Sequence, residues 1–516
     1  MVLKKEVYRA LEDVLGPENI SEDPVILDSY AWRMNPGPEG HKFMPRFEAV
    51  TLPKTTGEVQ AIVKLCNRFK VQYKASSTGW GVYNDPPGPG VVKIDLRRMN
   101  RILEINEKNM YAVVEPYVIF AQLQAELMKR GLNCNVTGAG SNCSALPLAA
   151  HVNLGHLSIS GSYGERNQLA LEWVTPDGEI VSFGSLGSLG EWFCGDGPGP
   201  SLRGIIRGNT QPLGGLGVFT KAGFKVYHWP GPAAFPTGGV SPYYVPSPMP
   251  SYFMVRYLSF PSLEQLIEAV RKTGESEIGF ILMGFNPAMV AANMATSNEE
   301  DLKLYKQFSE AVQGPGCMLI MAGNSPNDFE YKKGALQQII VETDAKSLEP
   351  IEDPDAGGSL IWRCVRVTSS IRETCRAYGS LGGEVGGTDV FSLMANHIRA
   401  SGGIKQKFID RDAILDDSTL PFVQSLEHGH LGHGEVLIRY NPNNPEAGKA
   451  LAELAEESNK ITIKGHFGVP HQVFNDAVHD MYGPHTSNYH VWLRKIKKTF
   501  DPNEASESTN YITAKE

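Results

Sequence analysis

The chain has 516 residues, more than one ordinary hydrophobic core accommodates, so we expect about two to four domains. Its composition is 41% hydrophobic and 20% charged, which is typical of a globular protein and excludes a largely disordered chain. The net charge of −9 and the lack of a Lys/Arg cluster in the sequence argue against nucleic acid as the main partner.

The sequence also predicts a compartment and excludes some cofactors. It contains no stretch of about 18 apolar residues, so we expect no membrane span. The N-terminal segment predicts an amphipathic helix with Val7, Leu11, Val14 and Leu15 on one face, and it lacks the apolar region of a signal peptide. Seven single cysteines without a Cys-x-x-Cys pair favour reduced thiols in a cytoplasmic protein over a zinc or iron–sulfur site.

The first half of the chain predicts a βαβ opening followed by several strands. Thr56 has the residue type of a helix N-cap. In chain order we predict a strand at 47–52, a helix at 57–69, strands at 71–75 and 91–96, a hairpin at 102–105 and 111–115, a helix at 120–130 with Gly131 as its C′ residue, and strands at 169–175, 180–183 and 218–226.

The stretch 230–250 is too rich in proline for a helix or a central strand, so we interpret it as a connector between domains. After it, a strand at 252–259, a helix at 262–273 with Ser262 as N-cap, and a strand at 279–284 predict a second α+β domain. That domain is expected to extend to about residue 459. A further helix is expected at 489–499, before a polar tail.

Three loops rich in small residues are candidates for ligand binding. The loop that begins at Ser76 follows a strand and can turn several backbone N–H groups toward one anion, although a purely structural turn is an equal alternative. It is not a Walker loop, because no Gly-Lys-Ser/Thr follows. The stretch 137–167 is unusually long for a loop without function, and the stretch 197–226 is also rich in glycine.

Short motifs occur in a definite order along the chain. They are Pro53 before a Glu-Val helix, Ser-Thr-Gly after a strand, Leu96-x-x-Met99-Asn100, Val114-Glu115-Pro116, Tyr163-Gly164-Glu165, Asp177-Gly178, Gly197-x-Gly-Pro-Ser-Leu, Leu216-Gly-Val and Asp501-Pro502-Asn503. This order resembles the vanillyl-alcohol oxidase / p-cresol methylhydroxylase (PCMH-type) superfamily of FAD-binding flavoproteins. The resemblance covers nearly the whole chain and is densest from about 47 to 230.

The resemblance implies an α+β protein with FAD as its cofactor. It places a PCMH-type FAD-binding domain of two α/β subdomains at 1–235, an α+β cap domain with an antiparallel sheet at 250–460, and a C-terminal return to the FAD domain at 461–516. We expect noncovalent FAD, with a covalent link through Tyr378 or a cap histidine as the alternative. The implied cofactor-binding residues are Pro53, Ser76, Ser77, Thr78, Gly79, Trp80, Gly81, Gly138, Gly140, Ser141, Gly155, Tyr163, Gly164, Gly217 and Val218.

The segment Glu427-His-Gly-His-Leu-Gly-His-Gly-Glu435 is the sharpest chemical feature of the second half. In a strand, His428 and His430 would project to one face. The segment could hold a metal, supply a metal-free base near neutral pH, or form a solvated structural cluster. We predict a metal-free site in which His430, His433 or His466 is the base. Tyr83 lies close to where the phenol-oxidising branch has a substrate-binding tyrosine.

A metal-assisted 2-hydroxyacid dehydrogenase is the first alternative, because that branch of the superfamily carries a related metal-binding segment. It reads His-x-Gly-Asp-Gly-Asn-x-His, followed later by Glu-His-Gly. Here His430 fits the first histidine, but Leu437 stands at the position of the last one, and Lys464-Gly465-His466 stands at the later motif. A rebuilt metal site that uses His433 and Glu435 stays open.

The resemblance also implies the reaction and the partners. We expect oxidation of an alcohol or an activated, benzylic or 4-alkylphenol-like C–H group of a small organic substrate, with hydride passing to the flavin N5 atom. The electrons then pass to a separate acceptor: oxygen, a cytochrome, an electron-transferring flavoprotein or a quinone. A dimer is the family expectation. A non-redox flavin-dependent transferase or a non-catalytic subunit are alternatives from other classes.

Overall fold

The structure is a computed structural model, and parts of the chain fall outside the description. It describes residues 3–31, 43–79, 89–150, 154–157, 159–184, 190–192, 202–208, 212–234, 238–240, 243–245, 249–285, 287–312, 314–348, 352, 354–366, 380–415, 421–441, 443–468 and 473–515.

A small α/β unit opens the chain, as the sequence predicts. Strand β4 pairs in parallel with β2 and β3, and β1 adds antiparallel to β2, which gives the order β1-β2-β4-β3. Helices α1 and α3 bury their apolar faces together with this sheet in one core. The elements are α1 (Lys5–Leu15), β1 (Ile20–Ser21), α2 (Pro24–Ser29), β2 (Ala49–Thr51), α3 (Thr56–Phe69), β3 (Gln72–Ser76) and β4 (Val91–Asp95).

Two predicted helix ends are wrong by a residue or two. The N-cap of α3 is Thr55 and not Thr56, because the Thr55 backbone is extended and its hydroxyl accepts from the Glu58 N–H at 3.1 Å. The following helix, predicted to end near residue 130, ends at Met128. Gly131 lies one position beyond C′ and takes the left-handed conformation at φ 68° that closes the turn.

An antiparallel sheet forms the second unit, and it confirms the predicted hairpin and the later strands. Its order is β5-β6-β10-β8-β9. Trp173 is buried in its core and donates from Nε1 to the Leu216 carbonyl at 2.8 Å. The elements are β5 (Ile102–Asn106), β6 (Tyr111–Val114), α4 (Phe120–Met128), β7 (Leu132–Asn133), α5 (Ala145–Leu148), β8 (Gln168–Val174), β9 (Ile180–Phe183), α6 (Arg203–Ile206), β10 (Val218–Lys225) and β11 (Tyr227–His228).

The third unit is an α+β layer whose antiparallel strands are ordered β15-β16-β14-β17 and β18-β20-β19. Strands β15 and β19 lie side by side, and this brings the two groups together. Ser262 caps its first long helix, as predicted. The elements are β12 (Gly238–Val240), β13 (Tyr243–Val245), β14 (Phe253–Ser259), α7 (Leu263–Glu275), β15 (Ile281–Phe285), α8 (Pro287–Met294), α9 (Asn298–Ala311), β16 (Gly316–Ala322), α10 (Pro326–Glu342), β17 (Lys346–Ser347), α11 (Pro354–Arg366), β18 (Ser380–Thr388), α12 (Phe391–Ile409), β19 (Phe422–Leu426), β20 (Leu431–Tyr440) and α13 (Ala447–Gly465).

The two faces of this layer bury different cores. One face packs Leu319, Val423 and Val436 against the helices α7, α10 and α12. The opposite face packs Met318 and Phe422 in a core that also contains Met128 and Trp229 of the second unit. The layer therefore covers the second unit like a cap. Residue 460, where we place the end of the cap domain, falls inside α13.

The C-terminal segment returns to the first unit. After α14 (Asn475–Tyr482) and α15 (Tyr489–Phe500), the tail runs beside β3, where the Tyr73 N–H donates to the Ala505 carbonyl at 2.9 Å. Two buried ion pairs fix it there. Lys74 Nζ lies 2.7 Å from Glu507, and Lys497 Nζ lies 2.5 Å from Asp501 and 2.8 Å from the Gly215 carbonyl.

The Lys74–Glu507 pair predicts a loss of stability at low pH. Burial is the largest single influence and acts to raise the pKa of Glu507, but the Lys74 ammonium and the hydrogen bonds from Thr509 together outweigh it, and the pKa lies below its ordinary value. The unfolded carboxyl titrates at the ordinary value. The stabilisation is therefore fully present above that pH and is lost as pH falls through the lower folded-state pKa.

We expect Glu507→Gln to lower the free energy of unfolding at neutral pH by about 3 kcal/mol, because it leaves the buried Lys74 ammonium without its counter-charge. The difference from wild type should narrow as pH falls below about 4. Urea unfolding between neutral and acid pH measures both effects. Glu453→Gln, which breaks the solvent-exposed pair with Arg411, is the matched control and should leave the free energy of unfolding close to that of the wild type. Equal losses in the two variants would contradict the prediction.

Candidate functional site

The loop after β3 meets the loop that follows residue 138, so two of the predicted ligand-binding segments lie together. The Thr78 N–H donates to Ser144 Oγ at 3.3 Å, and Ser144 Oγ lies 3.2 Å from Thr78 Oγ1. Ser76, Ser77 and Thr78 are half-buried and Gly79 is exposed at φ 72°. Ser141, also half-buried, accepts from the Ala121 N–H through its carbonyl at 2.8 Å. These small polar groups line one side of a cradle.

The third loop approaches from the side of β10. A Cβ on Gly214 would lie 3.7 Å from the Ala75 carbonyl oxygen, directly before Ser76. Gly217 has φ 79° and its N–H donates to Ser506 Oγ at 2.9 Å, so the C-terminal tail holds this loop. Val218 is buried at the start of β10. Pro53 is buried between β2 and α3.

Different physical constraints explain why glycine stands at each of these positions of the cradle. A Cβ on Gly155 would lie 1.8 Å from Asn135 Oδ1, and one on Gly217 would lie 2.3 Å from the Val174 carbonyl, so packing of the chain itself requires both. Gly140 has φ 124°, a backbone conformation that residues other than glycine rarely adopt. A Cβ on Gly138 would find its nearest neighbour, His156 Nε2, at 3.6 Å. Packing within the chain therefore does not require glycine at Gly138, because an added Cβ would make only ordinary van der Waals contacts there.

The cap contributes a buried histidine that contacts the second unit. His433 lies on β20 and is 2% exposed. Its Nδ1 lies 3.1 Å from the Tyr163 hydroxyl, and its Nε2 lies 3.6 Å from Glu435 Oε2. The rings of Tyr163 and Phe422 meet the imidazole edge to face, at centroid distances of 5.9 and 6.1 Å. Tyr163, His433 and Glu435 thus place three polar groups in a row, which we call the polar chain, across the contact between the two units, and the row begins with the Tyr163–His433 hydrogen bond.

The tautomer of the His433 imidazole decides which of its two nitrogens can accept a proton. If the Tyr163 hydroxyl donates to Nδ1, the proton of the neutral ring is on Nε2, beside the Glu435 carboxylate. If Nδ1–H donates to the Tyr163 oxygen instead, the lone pair is on Nε2, which can then accept a proton. The sequence pattern could have identified Glu435, because residues i and i+2 of a strand share a face. The contact with Tyr163 could not be identified in that way.

The other predicted histidines lie elsewhere. The prediction that His428 and His430 project from a strand is wrong, because residues Glu427–Gly429 form a tight turn and β20 begins only at Leu431. Both side chains are exposed. His466 is also exposed and ends α13 in the left-handed conformation at φ 53°. Of the three predicted bases, the structure places His433 alone against Tyr163.

Two further titratable groups lie in the loop that carries Tyr163. Burial lowers the pKa of His156 to about 4, so its ring is neutral at physiological pH, and Nδ1 lies 3.2 Å from the Cys364 carbonyl of the cap. Burial raises the pKa of Glu165 to about 7. Glu165 belongs to the short 3-10 turn that begins at Gly164. The pKa values of both groups in this loop therefore differ from their values in water.

Some predicted positions fall outside the description. These are Trp80, Gly81, Tyr83 and Tyr378. Among the residues that the structure describes, no three His, Cys, Asp or Glu side chains are grouped so that they could hold a metal ion. In the same part of the chain, no helix has the length and apolar character needed to cross a membrane.

Comparisons with known proteins identify the domain that contains two of these loops. Residues 47–184 match the family described as FAD binding domain. Over 229 residues the chain is 30% identical to the flavoprotein subunit of 4-cresol dehydrogenase (hydroxylating) from Pseudomonas putida, covering 42% of this chain and 41% of that protein. It is 27% identical over 229 residues to a glycolate oxidase subunit from Bacillus subtilis, covering 44% and 45%. The matched stretch therefore spans less than half of these relatives.

The fold is matched over nearly the whole chain. A crystal structure of p-cresol methylhydroxylase with substrate bound superposes with a TM-score of 0.76 at 16% identity, covering 99% of this chain and 98% of that one. The architecture is thus the PCMH-type FAD-binding fold, and FAD is the cofactor. The residues present fit it, because the half-buried hydroxyls of Ser76, Ser77 and Thr78 share these loops with Gly79 and Gly138, where an added Cβ would meet no protein atom closer than 3.6 Å.

Gly138 provides a test of the cradle that does not depend on turnover. We expect Gly138→Ala to leave the free energy of unfolding of the apoprotein nearly unchanged, because the added methyl meets no protein atom closer than 3.6 Å. FAD affinity should fall at least about tenfold, or 1.4 kcal/mol, since the methyl occupies space that the cofactor approaches. Quenching of FAD fluorescence during titration of the apoprotein measures the affinity.

Gly334→Ala on α10 is the matched control, because a Cβ there meets nothing within 4 Å. It should bind FAD like the wild type. If Gly138→Ala also binds FAD with wild-type affinity, then Gly138 does not line the cofactor site.

Proposed function

We propose that the protein is an FAD-dependent oxidoreductase, on the basis of its PCMH-type fold and the match of residues 47–184 to an FAD binding domain. Its substrate is a small organic molecule with an alcohol or an activated benzylic C–H group. The observation that carries the proposal is the buried chain Tyr163–His433–Glu435 on the face of the cap that contacts the second unit.

The bound cofactor supplies the acceptor for a hydride from the substrate carbon. The protein has to take up the proton that the substrate loses with it. His433 Nε2 accepts this proton, with Tyr163 holding Nδ1 at 3.1 Å and the Glu435 carboxylate at 3.6 Å stabilising the charged ring. Because His433 is 2% exposed, water competes weakly for this position, and each electrostatic interaction is stronger than it would be in water.

The same groups favour a substrate that is uncharged at its reacting end. A carboxylate-bearing substrate next to His433 would lie close to the Glu435 carboxylate, and two like charges at short distance repel each other. Phe422 supplies an aromatic surface beside the imidazole, at a centroid distance of 6.1 Å. An alcohol or a 4-alkylphenol-like molecule fits these surroundings without a metal.

Similarity to the glycolate oxidase subunit supports a second candidate, a metal-assisted D-2-hydroxyacid dehydrogenase. A divalent cation between His433 and Glu435 would relieve the repulsion and would hold the hydroxyacid. Metal analysis of the purified protein separates the two candidates. A stoichiometric divalent ion whose removal abolishes flavin reduction by glycolate would favour the second.

The electron acceptor is a separate molecule in this proposal. The relative from Pseudomonas putida is named as a flavoprotein subunit, which supports transfer to a partner such as a cytochrome, an electron-transferring flavoprotein or a quinone, with oxygen as the remaining choice. We further propose noncovalent FAD, a homodimer and a cytoplasmic location. Acid precipitation tests the attachment, because noncovalent flavin stays in the supernatant and covalent flavin is trapped in the pellet.

Anaerobic mixing of the FAD-loaded protein with 4-cresol, benzylic alcohols or glycolate tests the proposed function. We expect at least one compound of the first two classes to bleach the oxidised-flavin band near about 450 nm. If no compound changes the band, the oxidoreductase proposal loses its support and a non-redox transferase or a non-catalytic subunit becomes the better explanation.

His433 is expected to carry the proton transfer. We predict that His433→Gln lowers the rate constant of flavin reduction by about 10²–10⁴-fold, the usual contribution of a positioned base. Rapid-mixing absorbance at the flavin band measures it. His430→Gln, three residues away and exposed, is the control and should remain within about twofold of wild type. Equal rates in the two variants would show that His433 is not the base.

A further inference from the structure

The turn before β20 is held in a conformation that its residues disfavour. Glu427, His428 and Gly429 have φ values of 47°, 57° and 85°, so three consecutive residues lie in the left-handed region. Glycine adopts this region freely, but Glu427 and His428 do so at a cost in conformational energy. Such strain persists only where the surrounding structure imposes it, and it is concentrated at functional sites.

One loop of the second unit imposes this conformation through its backbone. The Glu427 N–H donates to the Gly161 carbonyl at 2.9 Å, and the His428 N–H donates to the Ile159 carbonyl at 2.7 Å. On its other side, the turn packs against the end of α7, where Gly429 approaches Gly274 closely. The turn is therefore fixed between the cap helix and the loop 159–166.

The Glu427 side chain adds a charged connection to the same loop. Its Oε1 accepts from Ser162 Oγ at 2.5 Å and from Arg166 Nε at 2.7 Å, and its Oε2 accepts from Arg166 Nη2 at 3.0 Å. A guanidinium that engages both carboxylate oxygens fixes direction as well as distance. We call Glu427, Arg166 and Ser162 the domain latch.

The domain latch and the polar chain Tyr163–His433–Glu435 are built on the same two segments, the loop 159–166 and the segment formed by the turn and β20. Tyr163 lies between Ser162 and Arg166 on the loop, and His433 lies at the third position of the strand that starts directly after the turn. A shift of the turn relative to the loop therefore changes the 3.1 Å contact between the Tyr163 hydroxyl and His433 Nδ1. We propose that Glu427 is a positioning residue, which keeps His433 in the tautomer and orientation that proton uptake requires.

The proposal concerns geometry more than stability. The Arg166 side chain is 52% exposed and that of Glu427 is 27% exposed, and ion pairs so open to water add little to the stability of a fold. A small displacement at a catalytic base, in contrast, lowers the rate strongly. The role of the latch rests on the proposed function of His433, but the contact that it maintains can be observed without any substrate.

The test is Glu427→Gln, which keeps the size of the side chain and removes its charge, with Arg166→Gln as a second variant from the other partner. Glu453→Gln at the exposed pair with Arg411 is the matched control. Three quantities are measured on the FAD-loaded protein: hydrogen exchange of peptides spanning 159–166 and 427–433, the ring ¹⁵N signal of His433 in histidine-labelled protein, and the rate of flavin reduction by 4-cresol or a benzylic alcohol. The His433 signal is identified by its loss in His433→Gln.

In both latch variants we expect several-fold faster exchange in the two peptides, a shifted His433 ring signal, and flavin reduction slowed about tenfold. The control should match wild type in all three, with a similar melting temperature. An unchanged His433 signal in both variants would overturn the latch, whatever happens to the rate. If no compound reduces the wild-type flavin, the proposed function fails on its own, and the ring signal and the exchange still decide the latch.

Discussion

The backbone contact between the loop 159–166 and the turn Glu427–Gly429 is the constraint on which the geometry of this site depends. Two N–H groups of the cap donate to two carbonyls of the second unit, and these bonds leave little freedom for sliding. A second contact lies at the end of α11, where the Val365 carbonyl accepts from Gln124 Nε2 at 2.7 Å. Because these contacts hold the cap at two separate places, the His433 side chain can lie within hydrogen-bond distance of the Tyr163 hydroxyl.

Several polar groups deep in the contact between the cap and the second unit are joined by hydrogen bonds. Gln424, beside His433 in the register of β19 and β20, is fully buried and donates to the Gly155 carbonyl at 3.4 Å. Asn135 also holds the segment that contains Tyr163, because its side chain accepts from the Leu157 N–H and donates to the Ser162 carbonyl. Such a network is favourable only while every member stays in place, since a buried polar group that loses its partner is costly. The bonds that make this contact rigid are therefore also the ones on which the proposed proton transfer depends.

Local patterns predicted most of the elements, because helix periodicity, caps and turn residues act over a few residues. The βαβ opening, the Ser262 cap and the strand pair around Asp177-Gly178 are examples. The histidine segment 427–435 shows where prediction from local patterns fails. Alternation would place His428 and His430 on a strand face, but contacts with a loop about 265 residues earlier impose a left-handed turn instead. The pairing of Tyr163 with His433, 270 residues apart, has no local signal either. The resemblance identified the FAD domain but could not give this contact.

The cofactor cradle also depends on parts of the chain that are far apart. The loop after β3 is fixed from below by the C-terminal tail, because Lys74 pairs with Glu507 and the Ser506 hydroxyl donates to the Tyr73 hydroxyl oxygen at 2.6 Å. Ser506 also accepts from the Gly217 N–H, so one serine joins two walls of the cradle. Forming these contacts closes a loop of more than 400 residues, which has an entropic cost. The geometry of the cradle therefore depends on the docking of residues Ser506 and Glu507 as well as on the loops that line it.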